Sequence, residues 1–282
     1  MVRTAAPGKA FEVDQPPLNA LLQSALASGD DRELRTALAA GSGLPGPRLN
    51  LRLVDELAGA VGDVVRRADP PVERLAALLD RWAHLSVDEA PGDRPEVILP
   101  CAAVAAYGEV AAARPDWWDD EIAKLRRAAR DPRWRVRELV AQGLQRALDA
   151  DWPRAAGDLR GWAGDDDPLV VRAAAAGVAE PRLLGDGVRA ADALEVQRRC
   201  ARRYRSYTAE ERRTEPVKVL RKALGFTVSV AVAATGDFGL LEELVAAATG
   251  DRDLRWVVRE NLKKARLRPW PQEVERLRLL VA

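Results

Sequence analysis

Acid–base and metal chemistry near neutral pH draws on few residue types, and this sequence uses them sparingly. It contains one histidine, His84, and two cysteines, Cys101 and Cys200, in 282 residues. A Ser-His-Asp triad or a His-rich metal site has almost no material to draw on. His84, in Arg-Trp-Ala-His-Leu near a helix end, reads as a surface histidine. Cys101 sits in an apolar helical run and Cys200 in an arginine-rich one, so neither a disulfide framework nor a thiolate metal site is expected. No glycine loop of the phosphate-cradling type is present, and Gly185-Asp-Gly187 reads as a turn. Composition therefore implies no cofactor and no metal.

Two other stretches hold groups that could bind or react. The first is Trp117-Trp118-Asp119-Asp120-Glu121. Trp118, Ile122, Leu125 and Ala129 share one helical stripe, which makes Trp118 a core anchor. Trp117 falls with Glu121, Lys124 and Ala128 on the flank, where it covers a neighbour or meets a partner. The second is residues 198–222, with ten Lys and Arg against three acidic residues, net +7. Arg198, Arg202 and Arg205 share one face, as do Arg199 and Arg203; Tyr204 and Tyr207 lie among them, and Lys218, Arg221 and Lys222 follow. A positive surface carrying aromatic rings suits phosphate contacts and base stacking. A solvated helix whose arginines pair with the acidic N-terminal half, Glu195 or Glu210 and Glu211 accounts for the same residues.

The elements that must position these groups are helices. Residues 131–147, DPRWRVRELVAQGLQRA, open on Asp-Pro, a helix start. Val136, Leu139, Val140, Gly143, Leu144 and Ala147 then form one apolar stripe. The start recurs at Asp166 and Asp253, each with Val five and Arg six residues on. Recurrence of this kind marks a helical repeat array. The spacing predicts helices near 48–67, 71–84, 95–113, 116–130, 132–149, 153–163, 168–179, 188–213, 216–234, 238–249, 252–266 and 271–281. Short breaks rich in Pro, Gly and Asp between them place successive helices antiparallel. Residues 226–234, FTVSVAVAA, alternate like a strand but have no partner, so they read as a buried helix. Residues 1–17 read as a loose tail, 18–47 as a small helical hairpin with the linker GSGLPGP, and 48–282 as the array. No run reaches the roughly 18 apolar residues of a membrane span, and the N-terminus lacks the apolar run of a signal peptide. A cytoplasmic protein without a membrane partner is expected.

The Asp-x5-Arg pattern resembles HEAT repeats over roughly 95–267. The resemblance implies an all-α, right-handed, armadillo-like solenoid of stacked antiparallel helix pairs. It also implies a polar ladder between repeats, carried by Asp131 and Arg137, Asp166 and Arg172, and Asp253 and Arg259. Trp117-Trp118-Asp119 further resembles the start of a motif in HEAT-like bacterial glycosylases that excise alkylated DNA bases. Ile122 stands where that motif has its second Asp, so glycosylase activity is not expected. Trp134 and Trp256 occupy equivalent repeat positions, and equivalence points to packing between repeats.

Charge divides along the chain. Residues 1–125 carry 13 Lys and Arg against 20 Asp and Glu, net −7; residues 126–282 carry 31 against 23, net +8. The expectation is a non-enzymatic scaffold presenting a concave wall of second helices to a protein partner. Nucleic-acid binding by a basic groove is the alternative.

Overall fold

Every predicted helix that falls on described residues has a counterpart in the computed structural model, which describes residues 16–67 and 72–281. The expected tail over 1–17 lies almost wholly outside them. Fourteen α-helices are formed, with no strand among the described residues. They are α1 (Leu18–Ser28), α2 (Arg32–Gly41), α3 (Leu51–Arg67), α4 (Val72–Ala83), α5 (Ile98–Ala113), α6 (Trp118–Ala128) and α7 (Trp134–Ala150). The second half holds α8 (Trp152–Trp162), α9 (Pro168–Gly177), α10 (Gly187–Ser206), α11 (Glu215–Thr235), α12 (Gly239–Ala247), α13 (Arg252–Leu262) and α14 (Pro271–Leu280).

The helix expected over 188–213 is two elements. α10 stops at Ser206, and a loop follows because Thr208 and Glu211 bond each other's backbone N–H groups at 2.7 and 3.2 Å, closing a separate turn. The segment 226–234 is helical, inside α11. With no partner strand among the described residues, its β-branched side chains are buried on a helix instead.

Packing is orderly. α3, α5, α7, α9, α11 and α13 contact one another in succession, and α4, α6, α8, α10 and α12 each contact the odd-numbered helices on either side. α1 packs on α3, and α2 on α5. One apolar core runs from Leu18 to Val281. α5 lies at the centre, covered by α3, α4, α6 and α7. This corrects one expectation: Pro95–Ala113 is long and apolar enough to cross a bilayer by length and composition. Its apolarity serves burial, since almost no residue of α5 reaches the surface. α5 and α7 touch backbone to backbone: a Cβ on Gly108 would lie inside the envelope of the Gly143 carbonyl.

Two buried amide side chains, Gln197 and Asn261, join helices by hydrogen bonds. Gln197 donates to Ala175 O at 2.7 Å and accepts from Thr227 at 2.9 Å, joining α9, α10 and α11. Asn261 donates to Leu224 O and accepts from Ser229 N, both at 2.8 Å, joining α11 to α13. Unmade, such bonds would each cost about 1–3 kcal/mol.

Candidate functional site

The helix starts show which aspartates act as caps. Asp166 and Asp253 were expected to cap α9 and α13, but the caps are Asp167, which accepts from Leu169 N at 2.9 Å, and Asp251, which accepts from Asp253 N and Leu254 N at 3.0 Å. The first turn fixes this register. Pro168 is the first residue of α9 and selects the residue before it, while Asp253 already lies within α13. Asp131 sits two residues ahead of the α7 cap residue, Arg133. Its carboxylate takes the Arg133 N–H at 2.7 Å and grips the guanidinium at 2.8 and 2.7 Å. Buried Arg133 then donates to Ala90 O at 3.2 Å, tying α7 to the loop after α4.

The arginines of the pattern differ among themselves. Arg137 bonds the carbonyls of Asp131 and Pro132, at 2.7 and 2.9 Å, within its own helix start. Arg172, almost buried, reaches from α9 to α7, donating to Arg137 O at 2.9 Å and pairing with Glu138. Arg259 donates to Val281 O at 2.7 Å. Asp253 reaches back to Arg221 and accepts from Tyr204 at 3.2 Å, whereas Asp166 is exposed and meets Arg203 at 3.0 Å. Arg172 thus reaches a neighbouring helix as the ladder expects, though to a carbonyl and Glu138, while Arg137 stays at its own helix start and Asp166 and Asp253 pair with arginines outside the pattern.

A different ladder runs along the even-numbered helices. Trp118 of α6 donates its indole N–H to Asp158 of α8 at 2.9 Å, while Arg154 lies over its ring at 4.8 Å. Trp152 of α8 donates to Asp192 of α10 at 3.0 Å, with Arg189 over its ring at 5.5 Å. Each ladder Trp thus has a carboxylate and a guanidinium from the next even-numbered helix.

Residues 198–222 are largely neutralised from within. Glu195 takes Arg198, Arg199 and Arg202 at 3.4, 2.8 and 3.3 Å, and Glu243 takes Arg198 at 3.0 Å. These arginines hold the Glu195 carboxyl below its ordinary value despite partial burial. Arg203 bonds Asp165 O and Asp166, and Arg221 bonds Asp253. Tyr204, expected to be free for stacking, is 1% exposed under Arg212, because its face of α10 is a core face. Burial, reinforced by Asp253, raises its phenol. Arg205 and Lys222 point outward, and Lys218 is half-buried, all without ion-pair partners among the described residues. The structure therefore brings together Lys218 and Arg221, beside the loop after α10, but spends most of the expected contact residues on internal pairs.

The Trp117-Trp118-Asp119 stretch is divided between core and rim. Ile122 is buried, and Asp119 is exposed and pairs with Arg154 at 2.9 Å. Glu121, 1% exposed, bonds Lys124 at 2.7 Å and leaves its second oxygen without a partner. Lys124 also meets Asp80 at 3.1 Å and lies over the Tyr107 ring at 5.1 Å. Tyr107 donates to Asp80 at 2.9 Å. Trp117 edges an open cleft of about 300 Å³ beside this network.

The two equivalent tryptophans are not equivalent in environment. Trp256 packs its ring against Gly225, while Trp134 is 55% exposed with Arg135 stacked at 4.4 Å. Trp134 is the first residue of α7, whereas Trp256 lies one turn inside α13. His84 Nδ1 donates to the Asp80 carbonyl at 2.7 Å, on the surface. Cys101 and Cys200 are buried and unpaired; burial pushes the Cys101 thiol up to about 12 and raises that of Cys200 as well. No group of three or more potential metal ligands occurs among the described residues.

Compared with known proteins, the chain matches no protein-family model and no curated protein sequence.

Proposed function

We propose that the chain is a right-handed, HEAT- or armadillo-like solenoid that works in the cytoplasm as a non-enzymatic scaffold, binding a protein partner along the wall of its odd-numbered helices. Supporting the solenoid reading are the successive odd-helix contacts and the Trp-to-Asp bonds between consecutive even-numbered helices. Buried, unpaired cysteines suit a reducing compartment.

The observation that carries the partner class is the mixed charge of that wall. On α5, Tyr107 faces α4 and α6; Glu109, two residues on and about 200° round the helix, faces away from them. There Arg146 of α7 bonds Asp55 of α3 at 2.6 Å and approaches Glu109 at 3.2 Å. Gln142 and Asp149 share the Arg146 face of α7. A surface alternating acidic, basic and amide groups complements a protein; a polyanion needs unpaired cations in a track. Six of the ten cations in residues 198–222 are held by Glu195, Glu243, Asp166, Asp251 and Asp253.

The test is capture from native cytosol on wild-type protein and on Asp55→Lys with Asp149→Lys, each with and without nuclease. Retained proteins should be indifferent to nuclease and lost on the wall variant. Loss on nuclease treatment alone would transfer the function to nucleic acid.

A further inference from the structure

The cations of the basic segment do not share one fate. Arg198, Arg199, Arg202 and Arg203 on α10 are paired with carboxylates. Farther along, Arg213 and Lys218 have no acidic partner among the described residues, and they line an open cleft of about 610 Å³. Arg212, Arg221 and Arg252 complete its positive lining, against Asp251 and Asp253. Five cations against two carboxylates leave a surplus of three. Both carboxylates are already committed: Asp251 caps α13 and bonds Arg212 at 2.5 Å, and Asp253 bonds Arg221 and Tyr204.

Donors are left over as well as charge. Arg212 and Arg221 each keep a buried Nε–H without a hydrogen-bond partner. Tyr207, which also lines the cleft, is 7% exposed, and its hydroxyl makes no hydrogen bond of good geometry. Burial raises this phenol, against the nearby Arg203 charge, so it remains a donor. The cleft lies at the start of α13, where backbone N–H groups add positive potential.

We propose that this cleft receives a phosphorylated side chain carried by the protein partner, an inference that rests on the scaffold reading above. A phosphomonoester brings close to two negative charges and three acceptor oxygens to a single point. That matches a local surplus of three cations with several unused donors better than a single carboxylate does. Nucleic acid fits less well, because Tyr204 beside the cleft is buried, leaving no stacking platform.

The experiment is calorimetric titration of the full chain with a short phosphoserine peptide, its unphosphorylated twin and a single-stranded oligonucleotide. It is repeated on the double variant Arg213→Gln with Lys218→Gln; neither residue makes an ion pair, and circular dichroism confirms that the variant folds. The phosphopeptide should bind and the twin should not. The variant should weaken binding about tenfold or more, the loss expected when charge-assisted bonds to a phosphate are removed. Absence of phosphopeptide binding, equal binding of the twin or indifference to the variant overturns the proposal. Oligonucleotide binding that falls steeply with salt and is lost in the same variant overturns it in favour of nucleic acid. Because the wall test uses Asp55 and Asp149, on other helices, the cleft can fail while the wall holds, and the two failures are read separately.

Discussion

Glu121 gives one carboxylate oxygen to Lys124 and leaves the other buried with nothing to bond. Lys124, meeting two carboxylates, holds its proton more firmly than usual. Glu121 is governed instead by burial, which raises its carboxyl above the ordinary 4.5 in spite of Lys124. A carboxyl raised on folding favours the protonated fold. Its contribution is present below the ordinary value and is lost as pH rises through the folded value. Glu121→Gln should therefore melt no lower than wild type at neutral pH, with the difference closing as pH falls towards about 4. A variant clearly less stable at neutral pH would show that the Lys124 pair outweighs burial. Asp158 presents the opposite case: it satisfies the indole of Trp118, which is 2% exposed. Asp158→Ala should cost about 1–3 kcal/mol in denaturant unfolding, and Asp158→Asn, which keeps an acceptor, distinctly less.

Between elements, the closest approach is α5 on α7 at Gly108 and Gly143. Backbone cannot rotate out of the way as a side chain can, so Gly108→Ala should force the helices apart and cost about 3 kcal/mol or more. Gly59, on α3, has open space where its Cβ would be. There Gly59→Ala should raise stability by about 0.5–1 kcal/mol, since alanine favours the helix. Measured side by side, the two substitutions separate close packing from helix propensity; a destabilised Gly59→Ala would contradict the open space. The helices themselves were legible because apolar stripes of period 3.6 and Asp or Pro starts are local signals. The cap register at α9 and α13 was off by one and two residues, since consecutive aspartates such as Asp165, Asp166 and Asp167 compete and only chain geometry selects one. The neutralisation of Arg198 by Glu243 spans 45 residues and two helices, which no local pattern carries. The Trp ladder did leave a trace: Trp118 and Trp152 are 34 residues apart, as are Asp158 and Asp192.

For the whole molecule, the proposed solenoid has a measurable signature. In such an array a defect is felt by adjacent repeats, whereas one closed core shares it throughout. Amide exchange on Gly108→Ala should quicken across α3, α5 and α7 and leave α11 and α13 near wild-type protection. Uniform loss of protection would count against the solenoid. The Trp ladder has a consequence for how such a chain could grow. The stretch from Trp118 to Asp151 supplies a donor, Trp118, and requires an acceptor from the stretch after it; that stretch supplies the acceptor, Asp158, and a donor of its own, Trp152. The links run head to tail, so a unit that holds both partners, as residues 152–185 do, would arrive with its own connector when copied in frame. A second copy of residues 152–185, placed directly after the first, would put its own Asp158 where the first Trp152 needs an acceptor, and its own Trp152 would face Asp192. Lengthening by duplication then demands no new inventions at the seam, only the small adjustments of fit that any inserted cassette requires.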